Sequence, residues 1–415
     1  MSKFFDKYFK VKVNENRFKI EPVWKKIEKI TEFAVLKECK QSPKWHSEGN
    51  AFIHTQCVVD AAIEYLENNF WAKGDSISDA AQILVLSALF HDIGKGVTTF
   101  EKDGKWHAYG HEMESEKITR KLLWDEGWNF RENVCALVRL HMEPLHWFEM
   151  NGGILEKLAE TERFLSGIGI CLFARLHVTD LINLKIWDVK GSKQEDTESK
   201  ANDLNNLYKL LSLCHSMFNH DEVDESAYDF VLRKKFKRED KKPLTVITLI
   251  GLPGAGKDTF LSKLIQTDSP FTYITDKGIL KTIPTYSPDN VVVLCRDDIR
   301  AELGICEKGG KVVGTSKQEQ EVTKLFNDRM LDAAREGKVI ILNNINLKAK
   351  YREETLRYLS GYKVNSIYFY IEADSLDKNK ERREGQIPDE VFDNMIMNFD
   401  WPKPSEYNEF YKITT

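Results

Sequence analysis

The spacing of apolar positions changes character near the middle of the chain. Up to about residue 218, apolar residues recur every three or four positions, as in FIHTQCVVDAAIEYL from Phe52, ISDAAQILVLSALF from Ile77 and VCALVRL from Val134. That spacing predicts packed amphipathic helices. After Pro243 the text becomes short β-branched runs, at 244 to 250, 291 to 295, 338 to 342 and 364 to 371, with helical patterns between them. Strands alternating with helices predict an α/β domain around a central parallel sheet. The expected organisation is therefore multidomain: an all-α domain over 1–235, a linker over 236–243 and an α/β domain over 244–415.

Weaker patterns fill the remainder. A helix is expected from Pro22 to Cys39, with proline in its first turn. Residues 191 to 205, GSKQEDTESKANDLN, read as an exposed loop or cap, and 267 to 290, with three prolines, as an insertion before the second strand. The charged stretch 219 to 242 ends in RKKFKREDKKP, a solvated linker or a contact to a nucleic acid backbone.

The first run of the α/β half carries chemistry. VITLIGLPGAGKDT, residues 246 to 259, reads as strand, glycine-rich turn and helix, and fits G-x-x-x-x-G-K from Gly251 through Gly256 and Lys257. Gly251, Gly254 and Gly256 let backbone N–H groups converge on phosphate oxygens, the helix N-terminus adds partial positive charge, and Lys257 adds a full one. Asp258 stands where the template has a Ser or Thr for Mg²⁺, with Thr259 one step later. A second strand ends in VVVLCRDDIRAEL, which sets Asp297 and Arg300 opposite the loop: a carboxylate able to take a proton from a hydroxyl, and a guanidinium able to hold a phosphate. Further on, KNKERREGQIP offers Arg382 and Arg383 as a lid over a transferring phosphoryl group.

The helical half carries a different set. All ten histidines lie at or before His220. The neighbours His91 and Asp92, at the end of an apolar helix, are costly to bury unpaired and suit metal ligation better. His54, His91, Asp92 and Asp180 supply ligands for one ion, and His111 and His141 complete a second, with Asp92 bridging. Mixed nitrogen and oxygen ligation suits Mn, Fe, Co, Ni or Zn. Two such ions can clamp a phosphate ester and acidify a water, and Lys95 can neutralise charge on the phosphoryl oxygens. His46, His107, His146, His177, His215 and His220 read as surface or packing histidines, with His46 and His107 the most eligible for a further role.

Composition narrows the class only a little. With 42% hydrophobic and 30% charged residues over 415 positions, the chain is that of a globular protein of two or three domains. No apolar run of about 18 residues is present, so membrane insertion is not expected. Seven scattered cysteines without a C-x-x-C pair predict a reduced, cytoplasmic setting. The net charge of −5 argues against nonspecific coating of nucleic acid but leaves room for a local basic groove.

These motifs resemble known families. His54, the HDIGK run and Asp180 resemble the HD phosphohydrolase superfamily, an all-helical metal-dependent fold, and WHSEGNAFIHT looks like the HD domains attached to tRNA nucleotidyltransferases, with Asn50 where aspartate is common. His111 and His141 are similar to the two-metal subset. GLPGAGKDT, RDDIR and the arginine lid resemble the P-loop kinase module of 5′-polynucleotide kinases. That resemblance implies Asp297 as general base for a 5′-hydroxyl, Arg300 on the acceptor phosphate, Lys257 on the donor's β and γ phosphates, and Arg382, or failing it Arg383, as lid arginine. Asp258 and Asn344, the latter where family members often carry aspartate, depart from the pattern on the metal side.

An HD domain followed by such a kinase is the order of HD-Pnk end-healing enzymes. The resemblance implies an ATP- or other NTP-dependent 5′-kinase with Mg²⁺, joined to a metal-dependent esterase that removes 2′,3′-cyclic or 2′/3′-phosphates from RNA or DNA ends. No K-x-D-G ligase lysine is present, so a separate ligase would seal. Two other readings stay open. One is a nucleotide-pool enzyme that joins an HD nucleotidase to a small-molecule kinase. The other is a switch in which ATP binding regulates the hydrolase.

Overall fold

A computed structural model describes residues 2–42, 46–72, 76–148, 153–168, 176–193, 195–217, 242–265, 271–274, 280–283, 285–305, 315–383 and 387–415. The chain divides into two compact units, Met1–Lys235 and Phe236–Thr415. The charged stretch at 219 to 241 and His220 lie outside the described residues.

The first unit is built round one helix, Asp79–Phe90. Ser78 caps it by accepting from Ala81 N, and every residue from Ala81 to Phe90 is buried. A helix apolar all round must be enclosed on all sides. Here Ala51–Asn69, Trp128–Leu140 and Val178–Gly191 pack against it. Asn50 caps the first of these, its side chain accepting from Ile53 N. Asparagine and aspartate serve that position equally, which explains the departure from the tRNA nucleotidyltransferase pattern. After Asp92 the backbone runs hard against the His111–Leu122 helix: a Cβ on Gly94 would lie 2.3 Å from the His111 carbonyl oxygen. The glycine of HDIGK is therefore set by close approach.

The N-terminal segment differs from its expected form. Residues Phe9–Asn14 and Arg17–Pro22 pair as an antiparallel hairpin, and the helix expected over Pro22 to Cys39 is two short turns, Trp24–Ile27 and Thr31–Val35. Residues 197 to 205, expected as loop, open the helix Thr197–Met217, whose apolar positions Leu207, Leu210 and Cys214 are buried.

The second unit is a five-stranded, wholly parallel sheet. Its order is Glu409–Thr414, Lys363–Glu372, Pro243–Ile250, Val339–Asn343, Val291–Leu294. Side chains alternate across the strands, so Val246 joins Ile340, Leu342, Phe326 and Met330 on one face, while Ile247 joins Ile341, Phe369, Phe260 and Leu264 on the other. Both faces are covered, as a parallel sheet requires. The edge strand Glu409–Thr414 was absent from the expected set, and the proline-rich insertion holds a small hairpin, Phe271–Ile274 with Leu280–Ile283. Pro243–Ile250 lies at the sheet's centre, and the glycine turn follows its carboxyl end. Among the described residues no helix is long and apolar enough to cross a membrane.

Candidate metal centre and phosphate loop

Four helices and two turns of the first unit deliver a buried cluster. His54 lies in Ala51–Asn69; His91 and Asp92 follow Asp79–Phe90; His111 opens His111–Leu122; His141 follows Trp128–Leu140. His54, His91 and His141 are wholly buried, and Asp92 is 2% exposed.

Proton placement makes the cluster readable. His91 Nδ1 donates to Ala88 O at 2.8 Å, His111 Nδ1 to Ala108 O at 2.8 Å and His141 Nδ1 to Val138 O at 2.7 Å. A carbonyl can only accept, so each proton sits on Nδ1 and each neutral ring presents a bare Nε2 lone pair. Those lone pairs face one another or carboxylate oxygens. His111 Nε2 lies 3.3 Å from His141 Nε2, while His91 Nε2 lies 3.4 Å from His54 Nε2, which donates its own proton to Asp188 Oδ1 at 2.9 Å. Asp92 sits between the two pairs: Oδ2 is 3.2 Å from His91 and 3.6 Å from His54, Oδ1 3.2 Å from His111 and 3.8 Å from His141. Lone pairs and carboxylate oxygens this close, and out of water, repel unless cations lie between them. The donor set therefore fits two ions bridged by Asp92, and the groupings His54–His91–Asp92 and Asp92–His111–His141 each have their ligand atoms mutually within 4.8 Å.

One expected ligand is elsewhere. Asp180 is the third residue of Val178–Gly191, and its carboxylate accepts from His177 N at 2.8 Å as an N-terminal cap. Asp188, eight residues or about 12 Å further along that helix, takes the place beside the cluster. Its Oδ1 lies 2.9 Å from His54 Nε2 and 3.7 Å from His91 Nε2, while Oδ2 accepts from Lys185 Nζ at 2.6 Å. Burial alone would raise the Asp188 carboxyl, but Lys185 and His54 outweigh it and hold it well below the usual carboxylate range. At Asp180 burial prevails and pushes the carboxyl up to about 6.

The surroundings add three groups. Lys95 donates to Asp92 Oδ2 at 2.6 Å and to Gln41 Oε1 at 2.7 Å. Against the upward push of burial, Lys95 and His91 hold Asp92 well below its ordinary range. Glu48 Oε1 lies 2.9 Å from His54 Nδ1, in ion-pair range though off the line of a hydrogen bond, and 2.8 Å from His46 Nδ1. His46 thus joins the cluster through Glu48, its ring 4.5 Å from that of His54, and does not merely pack. Glu48, Asp188 and Lys185 were not foreseen; HSE, two residues before Asn50, was the available signal for Glu48.

In the second unit the turn has the expected shape. Gly254 and Gly256 have φ of 76° and 90°, and a Cβ on Gly254 would lie 2.5 Å from the Asn379 carbonyl oxygen. Lys257 Nζ donates to Gly251 O at 2.9 Å and Leu252 O at 3.0 Å, folded over its own loop. Burial, helped by Arg383, pushes it down to about 8 despite Asp258. Arg382 Nη1 donates to Gly254 O at 2.9 Å, and Asn379 Nδ2 to Pro253 O at 2.9 Å, so the short helix Leu376–Glu381 is docked on the loop. Across the sheet end, Arg300 holds Asp297 Oδ1 at 2.6 Å and both carboxylate oxygens of Glu319 at 2.8 and 2.9 Å. Asp297 remains 79% exposed. Thr259 is exposed on the same helix as Asp258.

Asn344, expected where the family carries its strand-end aspartate, is turned away from Asp258, and Asn343 takes that place. Asn344 Oδ1 accepts from Arg296 N at 2.9 Å, at the start of the Arg296–Glu302 helix. Asn343, the last residue of its strand, donates from Nδ2 to Asp258 Oδ1 at 2.9 Å.

This geometry defines a class: a helical domain of HD type with a His/Asp cluster able to hold metal, followed by a P-loop kinase-like α/β domain, a pairing that supports phosphoryl transfer on nucleotides or nucleic acids. Family models agree. One described as HD domain matches residues 52–177, and one described as AAA domain matches residues 246–402. The chain is also similar to a multifunctional CCA protein of Pasteurella multocida (strain Pm70), 34% identical over 91 residues, which is 22% of this chain and 19% of that protein. The similarity thus spans about a fifth of that relative's length.

Proposed function

We propose that the protein heals broken nucleic-acid ends, phosphorylating 5′-hydroxyl ends with an NTP and removing 2′,3′-cyclic or 2′/3′-phosphates at its helical site. The observation that carries this reading is the presence on one chain of two sites. One is a buried carboxylate, Asp92, turned to imidazoles on both sides. The other is a phosphate loop faced by the exposed carboxylate of Asp297.

At the helical site His54, His91, Asp92 and Asp188 would hold one ion and Asp92, His111 and His141 the other. Divalent ions there neutralise a phosphate ester and acidify water. Lys95, already on Asp92, adds a positive charge for the phosphoryl oxygens. Lys185 and Glu48 orient Asp188 and His54.

At the kinase site Lys257 leaves the Gly251 and Leu252 carbonyls for the donor's phosphates, and Arg382 leaves Gly254 for the transferring group. The 5′-oxygen forms its bond to the γ-phosphorus as the bond to the β–γ bridging oxygen breaks. The hydroxyl proton passes to Asp297, and the nucleoside diphosphate leaves. Arg300, pinned by Glu319 and Asp297, positions that carboxylate and faces the acceptor's phosphate.

The test uses an RNA oligonucleotide with a 5′-hydroxyl and a 2′,3′-cyclic phosphate, incubated with ATP, Mg²⁺ and a panel of transition metals. We expect 5′ phosphate to appear only with Lys257 intact and 3′ phosphate to disappear only with Asp92 intact. Turnover of free nucleotides alone, with both ends unchanged, would replace this reading with a nucleotide-pool enzyme.

A further inference from the structure

Asp258 and Asn343 occupy two positions that P-loop proteins ordinarily use for Mg²⁺. The residue after the loop lysine ordinarily supplies a neutral hydroxyl, and the end of a neighbouring strand supplies an aspartate. Here the first position carries the carboxylate, and the strand end carries the neutral amide. The two touch: Asn343 Nδ2 donates to Asp258 Oδ1 at 2.9 Å, on the strand adjacent to Pro243–Ile250 in the sheet.

Two observations give this contact meaning. Replacing the hydroxyl alone would leave two carboxylates beside the triphosphate, and replacing the aspartate alone would leave none. The pair as found keeps a single negative charge between the two positions. Secondly, Asn343 Oδ1 is buried and has no hydrogen-bond partner among the described residues. A buried carbonyl oxygen without a donor is costly, and an oxygen-seeking cation or its water relieves it. Since Nδ2 is occupied by Asp258, that amide oxygen is oriented, not free to exchange with the nitrogen.

We propose that the carboxylate and the neutral oxygen of the nucleotide-associated cation site have exchanged places in this chain. Asp258 supplies the anionic ligand from the loop side, and Asn343 fixes its carboxylate while offering Oδ1 as the neutral oxygen. The ligand is a hard divalent cation of Mg²⁺ type, arriving with a nucleoside triphosphate. The inference rests on the kinase half of the proposed function, and it makes Asp258 and Asn343 a compensating pair, not two defects of an impaired kinase.

The experiment measures the nucleotide-dependent part of bound Mn²⁺ by electron paramagnetic resonance, using a non-hydrolysable ATP analogue and the full chain. The affinity for the analogue without metal is measured alongside. Asp258→Ser should weaken Mn²⁺ in the nucleotide complex about 10- to 100-fold, and leave metal-free analogue binding equal or tighter, since one negative charge has left the phosphates. Asn343→Asp alone should weaken metal-free analogue binding by adding a second carboxylate. The double variant Asp258→Ser/Asn343→Asp, which restores the ordinary arrangement, should return Mn²⁺ affinity to within about threefold of the wild type. Unchanged Mn²⁺ affinity in Asp258→Ser, or a double variant that shows only the summed effects of its singles, overturns the exchange while the kinase reading stands. A wild-type protein that binds no nucleotide with any metal overturns both.

Discussion

The two sites of this molecule hold their charged groups in opposite ways. In the helical unit the ligand atoms are packed inside; His91, His111 and His141 are fixed by backbone carbonyls on their far side, and His111 and His141 turn lone pair to lone pair across 3.3 Å. In the α/β unit the cations are parked: Lys257 on two carbonyls of its own loop, Arg382 on Gly254, Arg300 on Glu319. The first arrangement is unfavourable without its ions and needs only a shift of the His54 proton from Nε2 to Nδ1, beside Glu48, to receive them. The second is satisfied as it stands, so its ligand must displace existing hydrogen bonds. The hydrolase site should therefore respond to metal, whereas the kinase site should respond to the charge state of its own lysine.

The largest effect is expected at the shared carboxylate. Asp92→Asn removes the charge common to both ion positions, and should lower phosphoesterase turnover by roughly a thousandfold while leaving 5′-kinase activity within about twofold. Metal analysis of the purified variant, beside assays of both ends of one oligonucleotide, checks this. Equal loss of both activities would mean that the two sites are not separable. Next comes the correction on the Val178–Gly191 helix. Asp188→Asn should weaken metal binding by roughly a hundredfold, and Asp180→Asn should leave metal content and hydrolysis unchanged. The reverse result would restore Asp180 as the ligand.

A smaller effect, on the other side of the comparison, follows from Lys257, pushed down to about 8 by burial. The phosphates require the ammonium, so above pH 8 nucleotide binding must take up a proton. The dissociation constant should rise about tenfold between pH 7 and pH 9. Calorimetry in two buffers of different ionisation enthalpy should register nearly one proton taken up at pH 9 and little at pH 7. Binding heats independent of the buffer at pH 9 would show that the lysine is charged throughout.

What could be read from the sequence follows from how local each feature is. The phosphate loop is contiguous, so strand, glycines and lysine declare themselves together. Along the metal centre, His54, His91, Asp92, His111 and His141 stood out because each ends or begins a helix where a polar residue interrupts an apolar pattern. Asp188 did not, because it sits inside a helix among Ile186, Trp187 and Val189, and only the packing of that helix on His54 reveals it. Asp180, at a helix start, had the more conspicuous place but belongs to the cap. The position of the family's strand-end aspartate, read as Asn344, falls to Asn343 beside Asp258 for a similar reason. On a strand, neighbouring side chains point to opposite faces, and Asn343 and Asn344 cannot be told apart without the sheet. The N-terminal hairpin was legible, since FKVKV and RFKIE alternate strictly, but its aromatic and basic start drew attention to packing; the edge strand EFYKIT lacks clean alternation, and its pairing partner defines it.

The smallest effect tests the cap itself. Asp180 has a folded-state value of about 6 against 3.8 for the free side chain, so the native state binds the proton more tightly than the unfolded chain. Stability contributed by this group is therefore lost as pH rises from about 4 to about 6, and the loss is constant above that. Asp180→Asn keeps an oxygen for His177 N and removes the titration. With allowance for partial exposure, the variant should be more stable than the wild type by roughly 1 kcal/mol at pH 8, the difference shrinking as pH falls towards 4. Urea denaturation of the full chain, followed by far-ultraviolet circular dichroism at several pH values, measures it. A variant less stable than the wild type at pH 8 would show that the charge on Asp180 strengthens the cap by more than its burial costs, and that the helix is held by its ionised form.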